Sequence, residues 1–319
     1  MRIRFGYVAN AMNLQDCSPS KAVTATNLVK IKDLEGHRIK LTKIARENLN
    51  NTLRILKYNA AYEIKIYRMT SKLIPLATHP ITEGWDYLKD LAEDFRRVGN
   101  FAIENDMRVS SHPDHFTLLN SPREEVFKAS LNDLDYHEKI FTAMGLDKKA
   151  KMVLHIGGFY NDKVLSVERF ITNYKSLDQN LKSRIILEND DKIYTAKEVL
   201  EICKILNIPM VLDIHHDKCN KSSEDITQYV DDIFRTWEGT GLPPKLHLSS
   251  SKNEKEFRSH ADYINKDDFL TFLYKTRGVN KDFDVMIEAK TKDLALLKLM
   301  EEIKGVKGIE IINGAEIEY

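Results

Sequence analysis

Eight short apolar runs, rich in β-branched residues, recur along the 319-residue chain, and longer amphipathic segments separate them. Most runs have four to six apolar-rich residues, the length of strands that are buried on both faces of a parallel sheet. Eight strands, each followed by a helix, predict a (β/α)8 TIM barrel of the α/β class. An open, doubly wound parallel sheet has the same periodicity and stays as the alternative. The runs are at 3–8, 63–69, 107–112, 151–157, 183–190, 208–216, 244–250 and 283–290.

The segments between the runs carry apolar residues at helical spacing, which predicts helices over 41–58, 85–104, 122–145 and 294–303. Thr195 and Glu198 form a capping-box pattern before a further helix, and Ser222 with Asp225 forms a similar start. Glycines are expected at helix ends because they tolerate the left-handed backbone found there, and this applies to Gly145, Gly239 and Gly278.

No Pro-, Ser- or Gly-rich linker divides the chain, so we expect a single domain over residues 1–319. A (β/α)8 barrel needs about 250 residues. The surplus is therefore expected in enlarged loops at the C-terminal face of the barrel. The polar, mixed segment 9–40 is predicted to be one such insertion.

Composition argues against several classes of protein. The chain has no run of about 18 apolar residues and no secretory signal pattern at its start, so we expect a cytoplasmic protein. The cysteines, Cys17, Cys203 and Cys219, form no CxxC pair, which argues against a disulfide scaffold or a thiolate metal site. The 48 basic and 48 acidic residues balance, so net charge gives no indication of a nucleic-acid partner.

Polar side chains follow the last six predicted strands, close to the point where each strand ends. Successive members of this set are 43, 33, 25, 34 and 41 residues apart, and each gap is the length of one strand–helix unit. In a barrel, the C-terminal ends of all strands surround one mouth, where active sites of this fold are found. We therefore expect one cluster of His112, His155, Glu188, Asp213, His247 and Glu288.

These residue types suit metal binding. Imidazole and carboxylate donors without thiolate favour Zn²⁺, Mn²⁺ or Fe²⁺. Carboxylates directly after apolar strands are costly to bury without a countercharge, which two or three divalent ions would supply, with a residue such as Glu188 bridging them. Such ions can promote phosphodiester hydrolysis or polarise two hydroxyls of a sugar, so the residues alone leave the reaction class open.

Three further histidines near strand ends have ambiguous positions. His216 follows Asp213 by three residues, a spacing that resembles a ligand pair, whereas strand alternation turns His215 in another direction. His260 lies in the segment after the seventh strand and is either a ligand or an ordinary loop residue.

The remaining histidines have simpler interpretations. His79 follows the second strand and is a ligand, a residue that supports a ligand, or a structural residue. We interpret His137, in a predicted helix, as structural and His37 as a solvated surface residue.

Beyond these single residues, whole segments of the chain resemble the UV DNA damage endonucleases, a DNA repair family of bacteria and fungi. The resemblance extends from the first strand to the last and is specific in combination, although each segment alone is a weak match. The matching segments are FGYVANAMNL, YRMTSKLIPLATHP, SSHPDHFTLLNSP, LHIGGFY, ILENDDK, VLDIHH, KLHLSSSK, RSHADY and MIEAKTKD.

This resemblance implies a barrel related to abasic-site endonucleases and sugar isomerases. It also implies two or three divalent ions, usually Mn²⁺, with Zn²⁺, Mg²⁺ and Co²⁺ as alternatives. The family motifs assign the metal ligands to His112, His155, Glu188, Asp213, His216, His247, His260 and Glu288. Catalytic roles are implied for Glu188, Glu288 and Lys245, the last matching a lysine that can be carboxylated in the family.

The family cuts double-stranded DNA immediately 5′ of a UV-damaged dipyrimidine and leaves a 3′-hydroxyl and a 5′-phosphate. The resemblance implies that the lesion is extruded and that His115 and Phe116 fill the gap. The family commonly has Gln where this chain has His115, which affects the expected contacts to the opposite strand. Tyr7 and Asn10 match a segment that is expected to line the lesion pocket.

Basic residues near the strand ends are expected to contact DNA phosphates, chiefly Arg68, Lys192 and Arg258, with Lys218, Lys221, Lys252 and Lys290 nearby. The family suggests a monomer. The alternatives are an abasic-site endonuclease, a sugar isomerase with a similar barrel, and a damage-binding protein that does not cut.

Overall fold

Eight parallel strands close into a barrel in the computed structural model, which describes residues 1–319. Each strand pairs with the next, and the first strand pairs in parallel with both the second and the eighth. The predicted barrel is therefore confirmed, and the open sheet was the wrong alternative. The strands are β1 (Arg2–Val8), β2 (Ile66–Arg68), β3 (Arg108–Ser111), β4 (Lys151–Leu154), β5 (Ile185–Glu188), β6 (Met210–Asp213), β7 (Lys245–Leu248) and β8 (Phe283–Ile287).

Helices surround the barrel, and none of them combines the length and apolar character needed to cross a bilayer. Two 3₁₀ turns, Pro80–Thr82 and Ile226–Tyr229, accompany them. The α-helices are α1 (Ala25–Leu28), α2 (Leu34–Ala61), α3 (Tyr87–Asp90), α4 (Ala92–Glu104), α5 (Glu124–Ala143), α6 (Lys163–Ser176), α7 (Gln179–Arg184), α8 (Ala196–Leu206), α9 (Ile214–Cys219), α10 (Val230–Arg235), α11 (Lys266–Thr276) and α12 (Asp293–Ile303).

Several helix boundaries differ from the sequence-based predictions, and the helix predicted over 85–104 is divided at Leu91 into α3 and α4. Helix α2 begins at Leu34 because the Asp33 carboxylate accepts a hydrogen bond from Gly36 N at 2.6 Å, so the insertion predicted over 9–40 ends earlier. The helix start predicted at Ser222 was also wrong. Ser222 instead accepts a hydrogen bond from Lys197 N at 3.3 Å, and Asp225 caps the 3₁₀ turn that follows it. The capping box of Thr195 and Glu198 is confirmed.

A C-terminal hairpin, β9 (Glu310–Asn313) and β10 (Glu316–Glu318), was not predicted. Strand β10 pairs antiparallel with Arg2–Arg4 of β1, whereas β2 pairs only with residues 6–8 of that strand. The hairpin thus covers the edge of β1 at the base of the barrel, where unpaired backbone groups would otherwise be exposed.

Strand alternation creates two apolar layers on opposite faces of the barrel wall. The larger layer lies between the strands and the helices. Inside the barrel, Val153, Ile186 and Val211 form a separate cluster with Trp237. Because side chains alternate along a strand, the residue two positions after each of these valine and isoleucine side chains shares the inner face. Those residues are His155, Glu188 and Asp213, so the packing of the barrel interior directs them into its C-terminal mouth.

Close packing of α4 against α5 depends on Gly99. A Cβ atom at this position would lie 1.6 Å from the carbonyl oxygen of Met144, so Gly99→Ala must move one helix away from the other. We expect a loss of about 1–3 kcal/mol in the free energy of unfolding, measured by chemical denaturation. The matched control is Gly278→Ala, since nothing lies within 4 Å of that position. Equal stability of the two variants would contradict this account of the packing.

Candidate metal centre

Glu188, the last residue of β5, lies at the centre of the predicted cluster and is almost fully buried. Its Oε1 is 2.8 Å from Nδ1 of His247, and its Oε2 is 3.2 Å from Nε2 of His112. His155 Nε2 lies 3.6 Å from the same Oε2. Three imidazoles from three different strand ends therefore meet at one carboxylate.

Two groups of potential ligand atoms share this glutamate. His112, His155 and Glu188 form one group, and Glu188, Asp213, His247 and Glu288 form the other. Within each group the ligand atoms lie within 4.8 Å of one another. Each group could hold a metal ion, and Glu188 is the residue that the two groups have in common.

Asp213 and His216 are positioned by the junction of β6 with α9. The Asp213 carboxylate caps α9 by accepting a hydrogen bond from His216 N at 2.7 Å, which leaves its Oδ2 free. Nδ1 of His216 lies 2.9 Å from the carbonyl oxygen of Asn189 and 3.6 Å from Glu188 Oε1. The three-residue spacing thus brings both side chains to the cluster.

Asn189 holds this junction in place, and the sequence interpretation missed it. Its side chain donates to Asp213 O at 3.0 Å and accepts from Asp213 N at 2.8 Å. The amide therefore joins the ends of β5 and β6. Its place directly after Glu188 in the LEND segment was the available signal.

The electrostatics of the cluster favour a bound cation. Burial raises the pKa of Asp213, and Glu188 and Glu288 raise it further. Burial acts in the same direction on Glu188, but His247 and His155 hold the pKa of Glu188 well below its usual range. Burial opposes protonation of His216, yet Asp213 and Glu188 raise its pKa to about 9. Carboxylates that are buried this close together are stable as anions only beside positive charge. An imidazole supplies that charge only while both of its ring nitrogens are protonated.

Several buried polar atoms of the cluster have no hydrogen-bond partner. They are Asp213 Oδ2, His155 Nδ1 and His247 Nε2. Buried polar atoms are nearly always satisfied in folded proteins, so orphaned atoms at this density need an explanation. A divalent cation next to the free Asp213 oxygen fits the oxygen and nitrogen donors that the residues present.

The family was identified by comparison with known proteins. The model of the family described as UV-endonuclease UvdE matches residues 3–319. The chain belongs to this UV-endonuclease family.

Relatives match over their whole length. A UV DNA damage endonuclease of Bacillus cereus (strain B4264) is 43% identical over 319 residues, covering 100% of both chains. Another UV DNA damage endonuclease, from Halalkalibacterium halodurans, is 45% identical over 320 residues, covering 100% of this chain and 99% of its own. The crystal structure of SacUVDE is similar with a TM-score of 0.83 and 30% identity, over 95% of this chain and 98% of that one. Endonuclease IV from Thermus thermophilus, at 14% identity and a TM-score of 0.51 over 90% and 93% of the chains, shares the fold.

Three other histidines considered in the sequence analysis, His260, His215 and His79, lie outside the two ligand groups. His260 is at the edge of the cluster, with its ring centroid 6.3 Å from that of His216. His215 is fully buried, with its ring centroid 5.6 Å from that of His260 and its Nε2 3.7 Å from Cys219 Sγ. His79 Nδ1 accepts a hydrogen bond from Ile81 N at 3.1 Å and thereby caps a 3₁₀ turn.

His137 and His37 are both held within the fold. His137 is buried in α5, and burial lowers its pKa to about 3, which agrees with a structural role. The expectation that His37 is solvated was wrong. Its ring is half-buried because Nε2 lies 2.8 Å from the carbonyl oxygen of Ile31.

Two residues predicted to contact DNA are engaged with the protein instead. Arg68 forms a salt bridge with Glu288, which orients this carboxylate toward His247 Nδ1 at 3.0 Å. Tyr7 has no exposed surface, because its side chain packs on the outer face of β1 and its hydroxyl donates to Asn59 at 2.5 Å. The structure therefore gives the Tyr7 ring no surface at the mouth, contrary to the expectation.

Four of the other residues predicted to contact DNA are exposed. His115 and Phe116 are exposed in the loop after His112, and 46% of Phe116 is accessible to solvent. Lys192 is exposed, and Arg258 is exposed beside Asp191, with 3.7 Å between Nε and Oδ2. Asn10 is partly buried with its side-chain oxygen unpaired.

The Mn²⁺ affinity of a Glu188 variant tests whether this residue is shared by both ligand groups. Glu188→Gln keeps the shape of the side chain but removes the charge common to both groups. We expect Mn²⁺ affinity to fall more than about 100-fold, since loss of even an outer residue costs about 10–100-fold. Isothermal titration calorimetry measures this, and Glu201→Gln on the exposed face of α8 is the control. Wild-type affinity in Glu188→Gln would exclude the bridging role.

Proposed function

We propose that this chain is a metal-dependent DNA repair endonuclease. It would cut the phosphodiester immediately 5′ of a UV-damaged dipyrimidine and leave a 3′-hydroxyl and a 5′-phosphate. The observation that carries the proposal is the pair of ligand groups sharing Glu188 at the barrel mouth. The names of the full-length relatives, UV DNA damage endonucleases, support the choice of substrate.

Two or three divalent ions, most simply Mn²⁺, would be held by His112, His155, Glu188, Asp213, His216, His247, His260 and Glu288. The free Asp213 oxygen and the imidazole nitrogens that face Glu188 fit such ions. When bound, they would supply Lewis acidity that activates water near neutral pH and stabilises the departing 3′ oxygen. Zn²⁺, Mg²⁺ and Co²⁺ suit parts of the same donor set.

Residues beneath the ligands set the charge of the site. Lys245 precedes His247 by two residues on the inner face of β7, is fully buried, and donates to Ser110 Oγ at 3.1 Å. Burial and the nearby Arg108 guanidinium hold the pKa of Lys245 well below its usual range. A neutral amine is the form that reacts with carbon dioxide, forming an N–C bond and losing one N–H proton, so this environment supports carboxylation of Lys245. Carboxylation would place another anion below the ligands.

The loop after β3 would recognise the damage. Thr117 donates to Asp133 at 2.5 Å, and Ser71 donates to Asp114 at 2.9 Å, so the loop is anchored on both sides of the exposed ring of Phe116. An anchored, exposed ring loses little conformational entropy when it stacks in the gap left by an extruded lesion. An exposed stacking residue beside the ligands favours duplex DNA over a free sugar as substrate.

Nicking of supercoiled plasmid tests the proposed activity. With Mn²⁺, we expect the protein to nick UV-irradiated plasmid and to spare unirradiated plasmid, and a chelator should abolish the activity. Glu288→Gln should reduce nicking by about 100-fold or more while damaged DNA still binds, because it removes one ligand. Glu301→Gln, exposed on α12, is the matched control.

The other outcomes identify the alternatives. Equal nicking of both plasmids would refute damage specificity, and preference for a plasmid with abasic sites would indicate an abasic-site endonuclease. Binding of irradiated DNA without nicking, by protein shown to contain metal, would indicate a non-cutting binding protein. Interconversion of sugars would indicate an isomerase.

A further inference from the structure

Lys292 breaks two local rules of protein structure at once. It has φ +55° and ψ −115°, a backbone conformation that favours glycine, and it is the N-cap residue of α12. A lysine is also unfavourable there because the positive end of the helix dipole repels a cation, and its side chain caps no helix N–H group. Neither the backbone nor the helix therefore explains why this residue is a lysine.

The backbone conformation is imposed by the neighbours of Lys292. The buried carboxylate of Asp293 accepts hydrogen bonds from Met12 N at 2.5 Å, Asn13 N at 3.2 Å and the Tyr58 hydroxyl at 2.9 Å. On the other side, Thr291 N donates to Asp262 O at 3.2 Å. The chain is thus fixed to the loops after β1 and β7, and these contacts hold whatever side chain stands at position 292.

The side chain of Lys292 has no internal partner, and its backbone lies in the turn between Glu288 and α12. It is half-buried and forms no hydrogen bond or salt bridge within the chain. Lys292 N donates to Ala289 O at 3.2 Å, which closes the turn that follows Glu288 at the end of β8. Burial and the Arg68 guanidinium lower the pKa of Lys292, while Glu288 raises it. Glu288 is already paired with Arg68, which leaves the ammonium of Lys292 without an anionic partner.

We propose that Lys292 binds a phosphate of the DNA backbone next to the metal ligands, an inference that rests on the proposed endonuclease function. A half-buried ammonium without an internal partner suits a phosphate, which lysine binds as a point charge. Strain that persists at a single residue is typical of functional positions. The basic residues singled out from the sequence include Lys290 but omit Lys292, because the burial and the backbone conformation that distinguish the two lysines are visible only in the structure.

Substitution by glycine separates function from stability. Lys292→Gly should relieve the backbone strain and raise the melting temperature by about 1–3 °C, since glycine tolerates this conformation. The same variant should nick irradiated DNA with a raised KM. Because one phosphate contact is lost, the slope of log(kcat/KM) against log[NaCl] should become less steep by about 0.9. A lysine with a purely structural role would not produce this combination.

The experiment measures steady-state nicking of a UV-irradiated duplex by the Mn²⁺-loaded protein at a series of NaCl concentrations. Lys292→Arg should keep the wild-type salt slope, and Lys307→Met, exposed near the C-terminus, is the control for loss of a distant charge. If the wild type nicks irradiated DNA and Lys292→Gly has the same KM and salt slope as the wild type, the proposed role of Lys292 is refuted. The proposed endonuclease function then still stands. If the wild type neither binds nor nicks irradiated DNA, the proposed function fails and this inference with it.

Discussion

The buried carboxylate of Glu188 is the constraint on which the rest of the mouth depends. A carboxylate at the end of an apolar strand is costly to bury, and here imidazoles from β7 and from the ends of β3 and β4 surround it. Asp213 and Glu288 add negative charge to the same space. Arg68 offsets only part of this negative charge, because it is paired with Glu288. Divalent cations would complete the charge balance of the barrel interior.

Residues outside the ligand groups hold the strand ends and loops of the mouth through hydrogen bonds. Asn189 joins β5 to β6, Asp293 fixes the loop after β1 to α12, and Asp133 anchors the loop that presents Phe116. In each of these contacts, a buried polar side chain accepts a hydrogen bond from a backbone N–H or a hydroxyl group. These hydrogen bonds stabilise one conformation of the loop. The strained backbone of Lys292 is a consequence of the same anchoring.

Sequence periodicity predicted eight strand–helix units and placed six polar side chains at strand ends, because alternation and βα spacing determine which face and which end a side chain occupies. It did not separate the barrel from an open sheet, since only the pairing of β1 with β8 closes the barrel. It was insufficient where tertiary contacts decide. Tyr7 faces α2 because its partner Asn59 lies there, and the C-terminal hairpin forms because β2 leaves part of β1 unpaired. The roles of Asn189 and Lys292 depend on hydrogen bonds and dihedral angles that no residue pattern displays.

The central claim is that inorganic cations occupy both sides of Glu188, and anomalous diffraction from crystals grown with Mn²⁺ tests it most directly. We expect at least two anomalous peaks within coordinating distance of the Glu188 carboxylate, one toward His112 and His155 and the other toward Asp213, His247 and Glu288. Manganese bound elsewhere, or a Glu188 carboxylate that contacts no ion in protein active on irradiated DNA, would contradict it.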